Sequence, residues 1–345
     1  MVPFGELQMV NSGARFYQRY KDLGRVAKPF IRASDSERVI LSAHKFIEGF
    51  QESKVDDPLA EDKEDTPAVS VVIGEGRNFN NTLDHGLCDR FEDANKHLHP
   101  SQAEFVRGFA QPILDRVNSN LPGANLEIED VPQLMDLCSF HTVASTPEAS
   151  VLSPFCYLFT ENEWRHYDYY QTLGKYYKYG PGNPLGPAQG IGFVNELISR
   201  LTSQPVRDST TVNHTLDSDP TTFPLELPLY ADFSHDNTMI SIYSALGLFN
   251  MTEPLSNSSM QRPIDTHGFS AAWVVPFGAV AYIEKMECDS TPVANEPYVR
   301  ILINDRVFPL QGCPVDALGR CKLDDFIAGL DYITGGGNWE DCYGD

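Results

Sequence analysis

The sequence predicts an α/β fold in which a mixed sheet flanked by helices carries an inserted, smaller α-helical domain. Three observations predict it. Short, partly β-branched runs that read as strands lie toward both ends of the chain, RVAKPFIRAS near the start and LYADF and YVRILINDRVF late. The stretch from about 88 to 205 is instead mostly helical in pattern. Polar, proline-containing connections at 51–67 and 205–228 separate the two kinds of sequence. The division that follows is a discontinuous α/β domain, residues 1–57 and 221–345, around a helical insert, residues 58–220.

Leu7, Val10, Phe16, Tyr17 and Tyr20 recur at helical spacing and predict a helix over 5–24, ending near Gly24. RVAKPFIRAS predicts a strand. Ser34-Asp35-Ser36-Glu37 reads as a capping box that opens the helix ERVILSAHKFIEGF. Arg32 then precedes the loop, and Arg38 falls in the helix's first turn. A basic residue there runs against the helix dipole. Arg38 either pairs with Asp35 or Glu37 at the surface or joins the helix N-terminus in an anion site. VSVVI, 69–73, predicts a strand. SQAEFVRGFAQPILDRVNSNL and VPQLMDLCSFHTVAS predict helices, and YGPGNPLGPAQGIG is a loop leading into the helix FVNELISRL. LYADF predicts a strand and TMISIYSALGLF a helix. SAAWVVPFGAVAYIEKMEC and YVRILINDRVFPLQGC read as strand runs, and LDDFIAGLDYI as a late helix.

The 345 residues carry 26 Lys+Arg against 48 Asp+Glu, a net charge of −22. That balance argues against nucleic acid or anionic membrane surfaces as partners. No stretch reaches the roughly 18 apolar residues of a membrane span. The seven cysteines form no C-x-x-C pair, which argues against zinc ribbons and thioredoxin-type motifs. N-x-S/T sequons stand at Asn80, Asn213, Asn250 and Asn257. With the dispersed cysteines they favour a secreted, disulfide-bonded glycoprotein over a cytosolic protein with idle sequons. Two features run against that class. MVPFGELQMVNSGARFYQRY is not a signal peptide. An odd cysteine count also leaves one without a partner inside the chain.

No G-x-S-x-G elbow, H-E-x-x-H helix or phosphate-binding P-loop occurs. His97 and His99 lie in a polar segment and read as solvated rather than metal-binding. Ser234-His235-Asp236-Asn237 follows a strand and opens a helix, the position where open α/β sheets bind ligands. Either Ser234 or Asp236 caps the helix and His235 is an exposed loop residue, or the pair does chemistry. In the second case His235 donates to a phosphoryl oxygen and Asp236 passes a proton to a leaving oxygen.

FIRASDSERVILSAHKFIEGFQ, MDLCSF, SPFCYLFT, GPGNPLGPAQGIGFVNELISRL, NHTLDS, LYADFSHDN, NDRVFPLQGCPVDALGRC and GGGNWEDC together resemble a fungal phytase of the histidine acid phosphatase family. The resemblance runs from residue 2 to the end. It implies a histidine-phosphatase-like fold and two-step phosphoryl transfer through a phosphohistidine. It implies Asp236 as proton donor, with His235 and Arg38 binding the phosphate. Asn237, Lys175 and Asp136 contact substrate by the same resemblance, and Lys178 is an added lysine beside Lys175. It pairs Cys88 with Cys342, Cys138 with Cys156 and Cys313 with Cys321, and leaves Cys288 unpaired. It implies no metal or organic cofactor, a monomer, and small-molecule phosphomonoesters (phytate above all) as substrate.

The departure is that no R-H-G-x-R-x-P, the family's nucleophile motif, occurs in the sequence. The expectation is therefore an N-terminally truncated phytase, with Met1 an internal position of the complete secreted protein. By the resemblance the absent segment also holds the partner of Cys288. Such a chain is expected to fold poorly and to hydrolyse no phosphomonoester by itself. The alternatives are a broad-specificity acid phosphatase and a non-catalytic, secreted phosphate-binding remnant.

Overall fold

The computed structural model describes residues 1–146, 148–287, 296–310 and 312–343. Three strands, β1 (Phe30–Ser34), β2 (Val69–Ile73) and β3 (Tyr230–Phe233), form a parallel sheet in the order β2-β1-β3. β1 is central and buried along its whole length, as expected of a parallel strand covered on both faces. The helix Glu37–Asp56 makes the crossover from β1 to β2. Against it lies the helix Pro3–Arg19. Gly13 faces the backbone of Phe46 and Gly49 that of Val10 so closely that a Cβ at either position would strike a carbonyl oxygen.

A second, antiparallel sheet is built from β4 (Ala281–Glu287), β5 (Pro297–Ile303), β6 (Arg306–Phe308) and β7 (Cys321–Lys322). Its order is β4-β5-β6, with β7 also paired to β5. Asn304 and Asp305, at φ 47° and 65°, make the tight β5–β6 turn, where positive φ matches the twist of the strands. One core joins the two sheets: Phe16, Ile31, Ala33, Phe46 and Phe50 pack with Tyr282 and Leu302. The helices Pro100–Asn120, Asp130–Ser145 and Glu161–Gly174 enclose a separate core around Val106, Ile113 and Met135. Three disulfides join Cys88 to Cys342, Cys138 to Cys156 and Cys313 to Cys321. The first ties the chain's end to the start of the helical region. Cys288 lies outside the described residues.

Several local expectations are corrected. The helix over 5–24 breaks at Tyr20, whose hydroxyl donates to Glu284 at 2.9 Å, and resumes as Lys21–Val26. Ser34 caps nothing. It stays in β1, fully buried, and its hydroxyl donates to Glu75 at 2.8 Å. The helix begins after Ser36 without a side-chain cap. In the run from Ser270 onward, Ala271–Val274 is a helical turn and, among the described residues, only Ala281–Glu287 is strand. β2 lies in the stretch read as helical insert, yet it belongs to the parallel sheet.

Candidate active site

The three parallel strands end at one edge, the C-terminal edge where open sheets bind ligands. Ser34 ends β1, Glu75 stands two residues past β2 and His235 two past β3. Arg38 lies in the first turn of the helix that follows β1. Its Nη2 is 3.3 Å from His235 Nδ1. Among the described residues no ion pair joins Arg38 to Asp35 or Glu37. His235 Nε2 is 2.6 Å from Glu75 Oε1. Neither Ser234 nor Asp236 caps the helix Asp236–Ala245 with its side chain; the Ser234 hydroxyl donates to the Leu83 carbonyl at 2.7 Å.

Asp236 and Asn237 face the helical region. Lys175 donates from its ammonium to the Asp236 carboxylate and, at 2.6 Å, to Asn237 Oδ1. Lys175 opens a π-helical turn, Lys175–Tyr179, at the end of the helix Glu161–Gly174. Such a wide turn re-aims the side chains that follow it. Here both Lys175 and Lys178 lie over the Tyr179 ring, 5.7 Å and 5.9 Å from its centroid. Asp136 accepts from the Tyr167 hydroxyl and, at 3.3 Å, from Gln171. A cavity of about 470 Å³ is lined by Asp136, Gln171, Lys175, Lys178, Tyr179 and Asn237. Arg38 and His235 do not line it. They form an adjoining set, joined to the first through the consecutive residues 235–237.

Burial works to raise the pKa of Asp236. The Lys175 charge and hydrogen bond, the Asn237 backbone and His235 outweigh it and hold the carboxyl below its usual range. Glu75 is lowered in the same way: burial opposes, while the bonds from His235 and Ser34 and the Arg38 charge prevail. Asp136 is raised by burial, against the Tyr167 bond. Lys178 is lowered by burial and by Lys175.

Sequence reading missed Glu75, which sits in a Gly-rich loop with no local signal. It also missed a buried ion cluster formed by β1, β3 and the helix Ile191–Thr202. Arg32 contacts Asp232 at 2.9 Å and Glu196 at 2.6 Å, and Arg200 contacts Asp232 at 2.6 Å. The Thr82 hydroxyl donates to Glu196 at 2.8 Å. Of the sequon asparagines, Asn250 and Asn257 are exposed. The exposed Asn80 donates to the Val212 carbonyl at 2.8 Å, and Asn213 caps the turn His214–Asp217. Among the described residues no cluster of side chains could hold a metal ion, and no helix is long and apolar enough to cross a membrane.

The family model described as Histidine phosphatase superfamily (branch 2) matches residues 1–304. The chain is 59% identical to Phytase A of Aspergillus fumigatus over 99% of its own length and 73% of that protein's. It is 55% identical to Phytase A of Arthroderma benhamiae, over 99% of this chain and 74% of that one. Among solved structures, the phytase from D. castellii superposes with a TM-score of 0.73 at 24% identity, covering 98% of this chain and 65% of that one. The multiple inositol polyphosphate phosphatase of Bifidobacterium longum, in complex with inositol hexasulfate, gives a TM-score of 0.64 at 12% identity, over 94% and 78%.

Proposed function

The chain belongs to branch 2 of the histidine phosphatase superfamily, and on that premise we propose that it carries the phosphate-holding and proton-donating part of a phytase. Arg38 and His235 hold the phosphoryl group undergoing transfer, and Asp236 protonates the leaving oxygen. The observation that carries this reading is the meeting of Arg38 and His235, 3.3 Å apart, beside Asp236 at the edge of the parallel sheet. Positive charge and donors on the phosphoryl oxygens are what this transfer requires.

An imidazole nitrogen forms a bond to phosphorus as the bond from phosphorus to the inositol oxygen breaks. The Asp236 proton goes to that oxygen, and water then cleaves the N–P bond. The attacking imidazole is not supplied by this sequence, whose nine histidines include none in R-H-G-x-R-x-P. Asp236 must first hold a proton, and Lys175 opposes this. A polyanionic substrate in the cavity draws Lys175 away, so the carboxyl takes up a proton more readily once substrate is bound. Lys175, Lys178 and Asn237 lie where phosphates beyond the reacting one would sit. That favours inositol hexakisphosphate over simple esters. Arg38, His235 and Asp236 come from the α/β part, and Asp136 and Lys175 from the helical insert, so the site lies between the two. Three disulfides among the described residues and three exposed sequons favour an extracellular place of work.

The test is phosphate release by the 345-residue chain and by the same chain extended with a segment carrying R-H-G-x-R-x-P. The extended form should turn over phytate faster than an aryl phosphate, and the shorter one should turn over neither. Turnover by the shorter form, or no preference for phytate in the longer, would overturn the reading.

A further inference from the structure

His235 is engaged at both ring nitrogens. Nδ1 lies 3.3 Å from Arg38 Nη2 and Nε2 lies 2.6 Å from Glu75 Oε1. A guanidinium only donates and a carboxylate only accepts. The proton is therefore on Nε2, and Nδ1 is the acceptor. Glu75 is itself anchored. The buried Ser34 hydroxyl donates to the same Oε1 at 2.8 Å, and the buried Asn81 amide donates to Ser34 at 3.0 Å. Asn81 in turn bonds the Ile73 and Gly74 carbonyls, both at 3.2 Å, and takes the Leu83 amide at 2.8 Å. This chain links the ends of β1 and β2 to the ring.

Building on the phosphatase reading above, we infer that Glu75 is the positioning residue of His235, fixing the proton on Nε2 so that Nδ1 faces the phosphoryl group gripped by Arg38. When a phosphate oxygen takes the guanidinium away from Nδ1, that nitrogen accepts a proton from solvent and donates it in a hydrogen bond to the phosphate. The resulting imidazolium is balanced by Glu75 on its far side. The other charges around the ring are Arg38, Asp236 and, through Asp236, Lys175. A carboxylate with no such role would act on phosphate only by repulsion, so the two possibilities differ in sign.

The experiment records the ring ¹⁵N signals of His235 in the 345-residue chain, then titrates inorganic phosphate and inositol hexakisphosphate by calorimetry. Without ligand, Nε2 should read as protonated and Nδ1 as unprotonated. Glu75→Ala should give a mixture of the two tautomers and weaken phosphate binding about tenfold, the scale of one charge-assisted hydrogen bond. Glu75→Gln keeps an acceptor and drops the charge, so it should keep the tautomer and lose part of the affinity. In a His235→Ala background, Glu75→Ala should change nothing further. Unchanged ring signals in Glu75→Ala, or tighter phosphate binding, overturn the role of Glu75 alone. A wild-type chain that binds neither ligand overturns the phosphatase reading, and this inference with it.

Discussion

β1 and β3 carry charge at two levels, and the two levels are built differently. Inside the sheet, Arg32 and Asp232 are register partners on neighbouring strands. Together with Glu196 and Arg200 they are nearly closed off from solvent, and both cations contact carboxylates. At the strand ends Arg38 and Asp236 are exposed and His235 is partly so, and the Asp236 side chain is 53% exposed against 2% for Arg32. The inner set pairs both of its cations with carboxylates of the chain itself. The outer set is held by contacts that a phosphate would replace: Arg38 on a ring nitrogen of His235, and Lys175 on a carboxylate. Charge that is paired and buried holds the fold, and charge that is loosely paired at an edge is available for binding.

The largest expected effect comes from breaking the inner set. Arg32→Met leaves Glu196 buried and Asp232 with Arg200 alone. Removing one partner of a buried ion pair costs about 3–5 kcal/mol. Denaturant titration near neutral pH should show a loss of that order, or no cooperative transition. A loss under about 1 kcal/mol would mean that water reaches the cluster, and the contrast with the outer set would fail.

The two levels were also unequally legible. The ensemble of motifs gave the family, and the fold class and the resemblance both hold. VSVVI and LYADF were readable as strands because β-branched and aromatic residues bounded by turns need no tertiary context. His235 and Asp236 were readable because a polar pair between a strand and a helix is a local signal. The partnership of Arg32 with Asp232 joins residues 200 apart, and nothing near either announces it. Glu75 meets His235 from 160 residues away for the same reason. Ser34 misled, because its capping pattern is local while its partners, Glu75 and Asn81, are tertiary. The Tyr20 break carries no local signal, and the partner of its hydroxyl, Glu284, lies on the other sheet.

A second prediction, of intermediate size, sharpens the account of the inner set through pH. Asp217 lies beside it, and its carboxyl is pushed up to about 8, by burial first and the Glu196 charge next, against the charges of Arg32 and Arg200. The folded chain then keeps a proton that the unfolded chain releases near pH 4. A raised folded-state pKa contributes stability that is present at low pH and lost as pH rises through the folded value. The melting temperature should therefore fall between about pH 4 and pH 8, with one proton's slope, at most about 1.4 kcal/mol per pH unit. Asp217→Asn should flatten that part of the curve. A variant with an unchanged slope would assign the proton elsewhere.

The smallest effect on stability is expected at the outer set, and its size is the point. Lys175→Met removes the ammonium that bonds Asp236 and Asn237. Exposed pairs of this kind are worth about 0–1 kcal/mol, so denaturant titration at neutral pH should barely separate the variant from wild type. Its pH behaviour should differ. The Asp236 carboxyl is held low in the folded chain, with burial opposing and Lys175 the leading cause that lowers it. A depressed carboxyl contributes stability above its unfolded pKa and loses it as pH falls through the folded value. Wild type should thus lose a little stability in acid that Lys175→Met has already lost, and the two curves should converge below about pH 4. Inositol hexakisphosphate should bind the variant about tenfold more weakly, since one cation facing the substrate phosphates is gone. If Lys175→Met instead costs as much stability as Arg32→Met while hexakisphosphate binds unchanged, Lys175 belongs with the structural charges, and the division between the two levels is drawn in the wrong place.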